Sequence, residues 1–395
     1  MSVLIKELSL QNFLSYGAKN AVSLNDLNIL IGPNGSGKSN LIEAIDLLHS
    51  APMNLLTPIR DGGGVSEWIW KGQGASSKEA RIETIFNRDD TGKRNIRHVL
   101  AFSSVLQRFE IRDERIEDEF PMPGHDEPCF YYHLNNGYPY LNVRETSGSS
   151  RRRELRPEDI DLSASILSQR RDTDTYPELA WLGDRLSEIC IYRDWNFGRY
   201  TAPRVPQRAD MPNRWLLSDC SNLGLVLSKL RNNPDVKADI ISNLHALNPN
   251  IEDFNVLIEG GTVQIFVQDS GMSISATRLS DGTLRLLCLL AVLCHPNPPP
   301  VVCIEEPELG LHPDAIGLLA RLLRKASEKT QVIITTHSAM LVDYFTDSPE
   351  TVVVAEKDEN GTSLERLSGE ELEPWLKDYR LGKLWLSGEI GGVRW

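Results

Sequence analysis

No stretch of about 18 or more consecutive apolar residues occurs in the chain. The opening segment, MSVLIKELSLQNF, carries charge where an export signal would carry an apolar core. These absences argue against a spanning helix and a signal peptide, so a cytoplasmic protein with no membrane partner is expected. Cysteine is sparse and unpaired. Cys129, Cys190, Cys220, Cys288, Cys294 and Cys303 form no CxxC pair, and the last three lie in apolar runs. That pattern disfavours a zinc site or disulfide framework and predicts buried, reduced thiols. Positive charge is also short. Lys and Arg number 42 against 55 Asp and Glu, for a formal net charge of −13. Such a balance does not suit a protein that coats polyanions. SSRRRELR (149–156) and SQRRD (168–172) are candidates for a local basic face, and each reads either as solvated surface or as a nucleic-acid face. Internal repeats, long low-complexity tracts and sustained heptads are missing as well.

What is present is an ordinary globular composition. The chain has 395 residues, 41% of them hydrophobic and 25% charged, which is long for one average domain and ample for a large core. Residues 2–10 alternate as a strand, and LNILIG (27–32) is a compact apolar strand. SNLIEAIDLLHS (39–50) follows with helical spacing. From about residue 80 the pattern becomes antiparallel β, with a hairpin turn expected at Asn136-Gly137. Residues 151–250 read as mainly helical, with helices over 176–190, 221–232 and 235–247. Two short strands joined by Gly260-Gly261 come next. Helix and strand then alternate from 282 to 356, which implies a parallel α/β sheet.

GPNGSGKS (32–39) matches G-x(4)-G-K-[ST] between a strand and a helix. Gly32, Gly35 and Gly37 allow the backbone to turn N–H groups inward, with Pro33, Asn34, Ser36 and Asn40 completing the loop. Lys38 would meet the β- and γ-phosphates, and the Ser39 hydroxyl would ligate Mg²⁺. ATP and Mg²⁺ are therefore the expected ligands. In VVCIEEPELGLHP (301–313) an apolar strand delivers two acids at its C-terminal end. Glu305 stands where an aspartate usually holds the metal, one methylene longer. Glu306 is the candidate that activates the attacking water. Glu308, His312 and Pro313 follow on a loop. QVIITTHSAML (331–341) ends a third strand in His337, a candidate sensor of the terminal phosphate. Gln73, the only glutamine between Gln11 and Gln107, is the candidate that reports the metal.

These islands, together with IKELSLQNFLSY at the start and LSDGTLR (279–285), resemble ABC-type ATPase heads of the RecF/SMC/Rad50-like AAA_21 group, related to the ATPase part of OLD-family nucleases. The resemblance implies an α/β P-loop NTPase head with an antiparallel β subdomain, a mainly helical insert and no long coiled coil. On that reading 1–150 is the N-terminal half of the head and 151–250 an insert or lid. Residues 251–365 form the C-terminal half and 366–395 a tail. It also implies that Ser280 and Gly282 cap the γ-phosphate held by a second copy, giving a head-to-tail ATP-sandwich homodimer that could build into larger assemblies. LSDGTLR departs from the transporter form LSGGQ, and the stretch after His337 is too short for an added Toprim nuclease. Relatives of this kind act in anti-phage defence with a separately encoded nuclease or toxin effector. A RecF-like, DNA-binding repair ATPase is the alternative.

Overall fold

The computed structural model describes residues 3–72, 79–88, 93–135, 137–144 and 150–392. Its centre is a six-stranded sheet in the order Cys190–Tyr192, Val301–Glu305, Gln331–Thr335, Leu27–Ile31, Val352–Asp358, Gly361–Arg366. All neighbours run parallel except the last pair, a hairpin in which Asp358 faces Gly361.

The strand sequences explain why both faces of this sheet are covered. Successive side chains of a strand point to opposite faces. Ile29 and Ile31, Val302 and Ile304, Val332 and Ile334, and Val352 and Val354 enter one core. Leu30, Val301, Cys303, Ile333, Val353 and Ala355 enter another. The first core is filled by helices Leu223–Arg231, Pro234–Leu247, Asp281–Leu293 and Ile316–Ser327. Every residue from Leu284 to Leu293 is buried, and Arg285 is the one charged side chain among them. The second core holds helices Lys38–Ser50 and Pro177–Ser187 and one face of an eight-stranded antiparallel sheet. That sheet runs Asn20–Ser23, Ile5–Gln11, Glu79–Phe86, Ile96–Val105, Arg108–Asp118, Phe130–Asn135, Tyr138–Arg144, Ser150–Glu154. A smaller antiparallel sheet contains Gln207–Arg208, Ile251–Glu259, Thr262–Asp269 and Met272–Ser275.

Segment 151–250 does contain the three expected helices, but it does not stand apart as a lid. Ser150–Glu154 extends the antiparallel sheet across the expected boundary, Cys190–Tyr192 edges the central sheet, and Gln207–Arg208 joins the small one. The longest described helix, Pro234–Leu247, has 14 residues, about 21 Å at the usual rise. Among the described residues, no helix is long and apolar enough to cross a membrane.

Candidate functional site

The site begins where the central strand Leu27–Ile31 ends. Gly32, Gly35 and Gly37 have φ of 143°, 78° and 102°. A Cβ on Gly32 would lie 2.3 Å from the Ala355 carbonyl oxygen, and one on Gly37 would lie 2.3 Å from Thr362 Oγ1. Only glycine fits these two positions. The loop is buttressed from both ends of the chain. Tyr16 OH donates to the Gly37 carbonyl at 3.0 Å. Asn40 Nδ2 donates to Ser15 Oγ at 2.7 Å. Thr362 Oγ1 lies 2.7 Å from Ser15 Oγ and 2.8 Å from the Ser36 carbonyl. Ser15 and Tyr16 end the IKELSLQNFLSY stretch, which assigns them no role, and Thr362 lies in no motif; sequence reasoning missed what all three do.

Inside the loop the Lys38 ammonium donates to the carbonyls of Gly32 (2.8 Å) and Pro33 (3.0 Å). Burial lowers its pKa to about 8, against the raising influence of Glu306 and Glu305. The Ser36 hydroxyl is buried without a hydrogen-bond partner, whereas Asn34 and Gly35 are exposed. Ser39 Oγ donates to Glu305 Oε2 at 3.3 Å, so a helix N-terminus and a neighbouring strand bring a hydroxyl and a carboxylate together. Hard oxygen donors of this kind suit Mg²⁺. No group of three or more His, Cys, Asp or Glu side chains is arranged to hold a metal among the described residues. Phosphate and water would therefore have to complete its shell. Gln73 lies outside the described residues.

Glu306 leaves its strand in a left-handed conformation, φ 44°, with its N–H bonded to the Thr335 carbonyl at 3.0 Å. Such backbone is costly for a residue with a side chain and collects at working sites. Its Oε1 lies 3.5 Å from His337 Nε2, and both side chains are partly open to solvent. Burial and nearby Lys38 lower the His337 pKa, opposed by Glu306. Glu308 holds this pair of strand ends together. Its Oε1 accepts from Thr336 Oγ1 and, at 3.2 Å, from the His337 N–H, while Oε2 is buried without a partner. Burial raises its pKa, against these same hydrogen bonds. His312 is exposed and caps the short turn Pro313–Ala315, accepting from the Asp314 N–H at 3.3 Å. Arg193, also missed, reaches Glu305 from the outer edge strand, with Nε 3.6 Å from Oε1.

Ser280 and Gly282 are not gathered around this loop. Ser280 caps the helix Asp281–Leu293, its Oγ accepting from the Thr283 N–H at 3.1 Å. A Cβ on Gly282 would meet the Gly310 carbonyl at 3.3 Å, on the loop that follows Glu308. Arg204 secures this helix start, pairing with Asp281 and donating to the carbonyls of Leu279 and Ala276. The backbone of Ser150–Glu154 is described but the side chains of Arg151, Arg152 and Arg153 are not. Near the tail, Gly392 N–H bonds Glu356 Oε1 at 2.8 Å and Trp385 Nε1 bonds the Gly392 carbonyl at 3.0 Å. A Cβ on Gly392 would lie 3.4 Å from Gly32 Cα, so the tail backs the phosphate loop.

A central parallel strand feeding a glycine loop into a helix, with two glutamates and a histidine on the adjoining strand ends, defines a P-loop ATPase domain of the ABC-type head class. The chain belongs to the AAA_21 family, described as "AAA domain, putative AbiEii toxin, Type IV TA system", whose profile matches residues 27–343. Among solved structures it is similar to an SMC head bound to the C-winged helix domain of ScpA. That match has a TM-score of 0.58 and 16% identity, covering 93% of this chain and 99% of that one. It is also similar to the Pyrococcus furiosus Smc head with an extended coiled coil, bound to the C-terminal domain of ScpA (TM-score 0.58, 14% identity, 95% and 99% covered). The Pyrococcus yayanosii Smc head with a coiled coil and joint matches at TM-score 0.54 and 12% identity, with 95% and 99% covered. At these identities the likeness is one of fold. No curated protein matches the chain.

Proposed function

We propose that the protein is an ATP-driven switch. It binds ATP in the 32–40 loop, closes head to tail with a second copy around two nucleotides, and opens again on hydrolysis. The observation that carries this reading is the convergence of Lys38, Ser39, Glu305, Glu306 and His337 at one sheet edge, while Ser280 heads a helix whose start packs against Gly310. Lys38 exchanges its loop carbonyls for phosphate oxygens. Ser39 and Glu305 hold Mg²⁺, which supplies positive charge at the phosphates. Glu306, turned out by its left-handed backbone, orients and deprotonates water, and His337 beside it reads the terminal phosphate. Ser280 and Gly282 then face the nucleotide of the other copy.

The cycle is read out by a separately encoded effector, a nuclease or toxin, in a bacterial anti-phage system. Membership in a family described by a type IV toxin–antitoxin system supports this setting. The SMC heads solved with ScpA domains support the idea that a head of this shape offers a docking face to another protein.

Light scattering with and without Mg-ATP tests the reading. Glu306→Gln keeps the size but removes the base, so this variant should dimerise with ATP and stay dimeric. Adding Ser280→Arg should return it to a monomer that still binds ATP. An unchanged mass for Glu306→Gln, or an ATP-dependent dimer that survives Ser280→Arg, would overturn the sandwich.

A further inference from the structure

Arg193 is contributed by a segment that none of the motifs covers. It follows the edge strand Cys190–Tyr192, whose register sets Tyr192 opposite Ile304, so the next residue falls level with Glu305. Its Nη1 lies 2.7 Å from Glu43 Oε1 and 3.8 Å from Asp46 Oδ2, and its Nε lies 3.6 Å from Glu305 Oε1. Glu43 and Asp46 stand three residues apart on the phosphate-loop helix, hence on one face. A single guanidinium thus serves three carboxylates. Its Nε and Nη2 groups are buried without a hydrogen-bond partner. Glu305 is divided between two neighbours: Oε2 takes the Ser39 hydroxyl and Oε1 faces Arg193.

We propose that Arg193 is a built-in counter-ion to Glu305 that keeps free divalent cations out of the site until the phosphates arrive. This rests on the reading of Ser39 and Glu305 as the metal-holding pair. A metal arriving alone must share Glu305 with a fixed positive charge a few ångströms away, and is disfavoured. A nucleotide brings several negative charges, so the same metal then binds in spite of Arg193. Removing Arg193 has two opposed effects. Glu305 loses the contact that steadies its long arm, which loosens the metal. The site also loses a positive charge, which tightens it. The second effect wins, because the repulsion falls only with the inverse of distance and acts on a doubly charged ion, whereas the freed side chain gains no more than a few rotamers.

The test uses Mn²⁺, visible by electron paramagnetic resonance, titrated into the full chain without nucleotide. Arg193→Gln should bind Mn²⁺ roughly tenfold or more tightly than the native protein. With an ATP analogue present, the two affinities should converge to within a few-fold. Arg193→Lys keeps the positive charge and leaves no carboxylate without a cation, so it should bind free Mn²⁺ within a few-fold of native. Equal or weaker Mn²⁺ binding by folded Arg193→Gln, or clearly tighter binding by Arg193→Lys, overturns the proposal. Failure of the underlying metal pair looks different: Glu305→Gln would then leave Mn²⁺ affinity in the presence of the ATP analogue unchanged.

Discussion

A buried ammonium bonded to two backbone carbonyls is the most telling single residue of the site. Lys38 sits at a pKa of about 8 because burial outweighs its two glutamate neighbours. ATP binding requires the charged form. Below that pH the ammonium is already protonated and affinity should be flat. Above it each binding event must also take up a proton, so affinity should fall by up to about tenfold per pH unit. Titration of a fluorescent ATP analogue from pH 6.5 to 9.5, with a breakpoint near 8, is the expected result. An affinity unchanged across this range would show that Lys38 holds its charge by other means. The motif residues were legible because phosphate chemistry restricts their types and spacing. Arg193 was not, since nothing in "IYRDW" tells that a three-residue edge strand will set that arginine beside Glu305.

Elements bring together what spacing cannot. The loop after Val301–Glu305 and the end of Gln331–Thr335 are tied by one side chain, Glu308, bonded to Thr336 and to the His337 N–H. Glu308→Ala should leave ATP affinity within about twofold, because the phosphate loop is untouched. It should lower kcat roughly tenfold or more by loosening the backbone that presents His337. Steady-state hydrolysis alongside equilibrium nucleotide binding separates the two. A fall in affinity with kcat unchanged would place Glu308 in binding instead. Sequence periodicity located these strands well; the third strand begins at Gln331 as expected and stops at Thr335, two residues before His337, after five buried residues. The segment 151–250 was harder. Its helices follow apolar spacing, but the strands Cys190–Tyr192 and Gln207–Arg208 are too short to show a period and exist only through their partners.

On the scale of the molecule, one sheet separates two cores, and its alternating side chains commit to both at once. The loop, the two glutamates and the histidine all stand at the same edge of that sheet. The helix capped by Ser280 belongs to the first core and approaches this edge where Gly282 and Arg285 lie beside Gly310. That contact has a consequence for kinetics. If Ser280 and Gly282 face the other copy's nucleotide, each subunit feels its partner's site through Gly282 and passes the displacement to Gly310, on the loop that carries its own Glu306 and Glu308. The two sites then cannot turn over independently. Hydrolysis plotted against ATP concentration should be sigmoidal, with a Hill coefficient between one and two. Gly282→Ala, crowding Gly310, should alter the coefficient more than the half-saturation point. A hyperbolic curve at every protein concentration would mean that the two nucleotides, though sandwiched between the same pair of subunits, are spent without reference to one another.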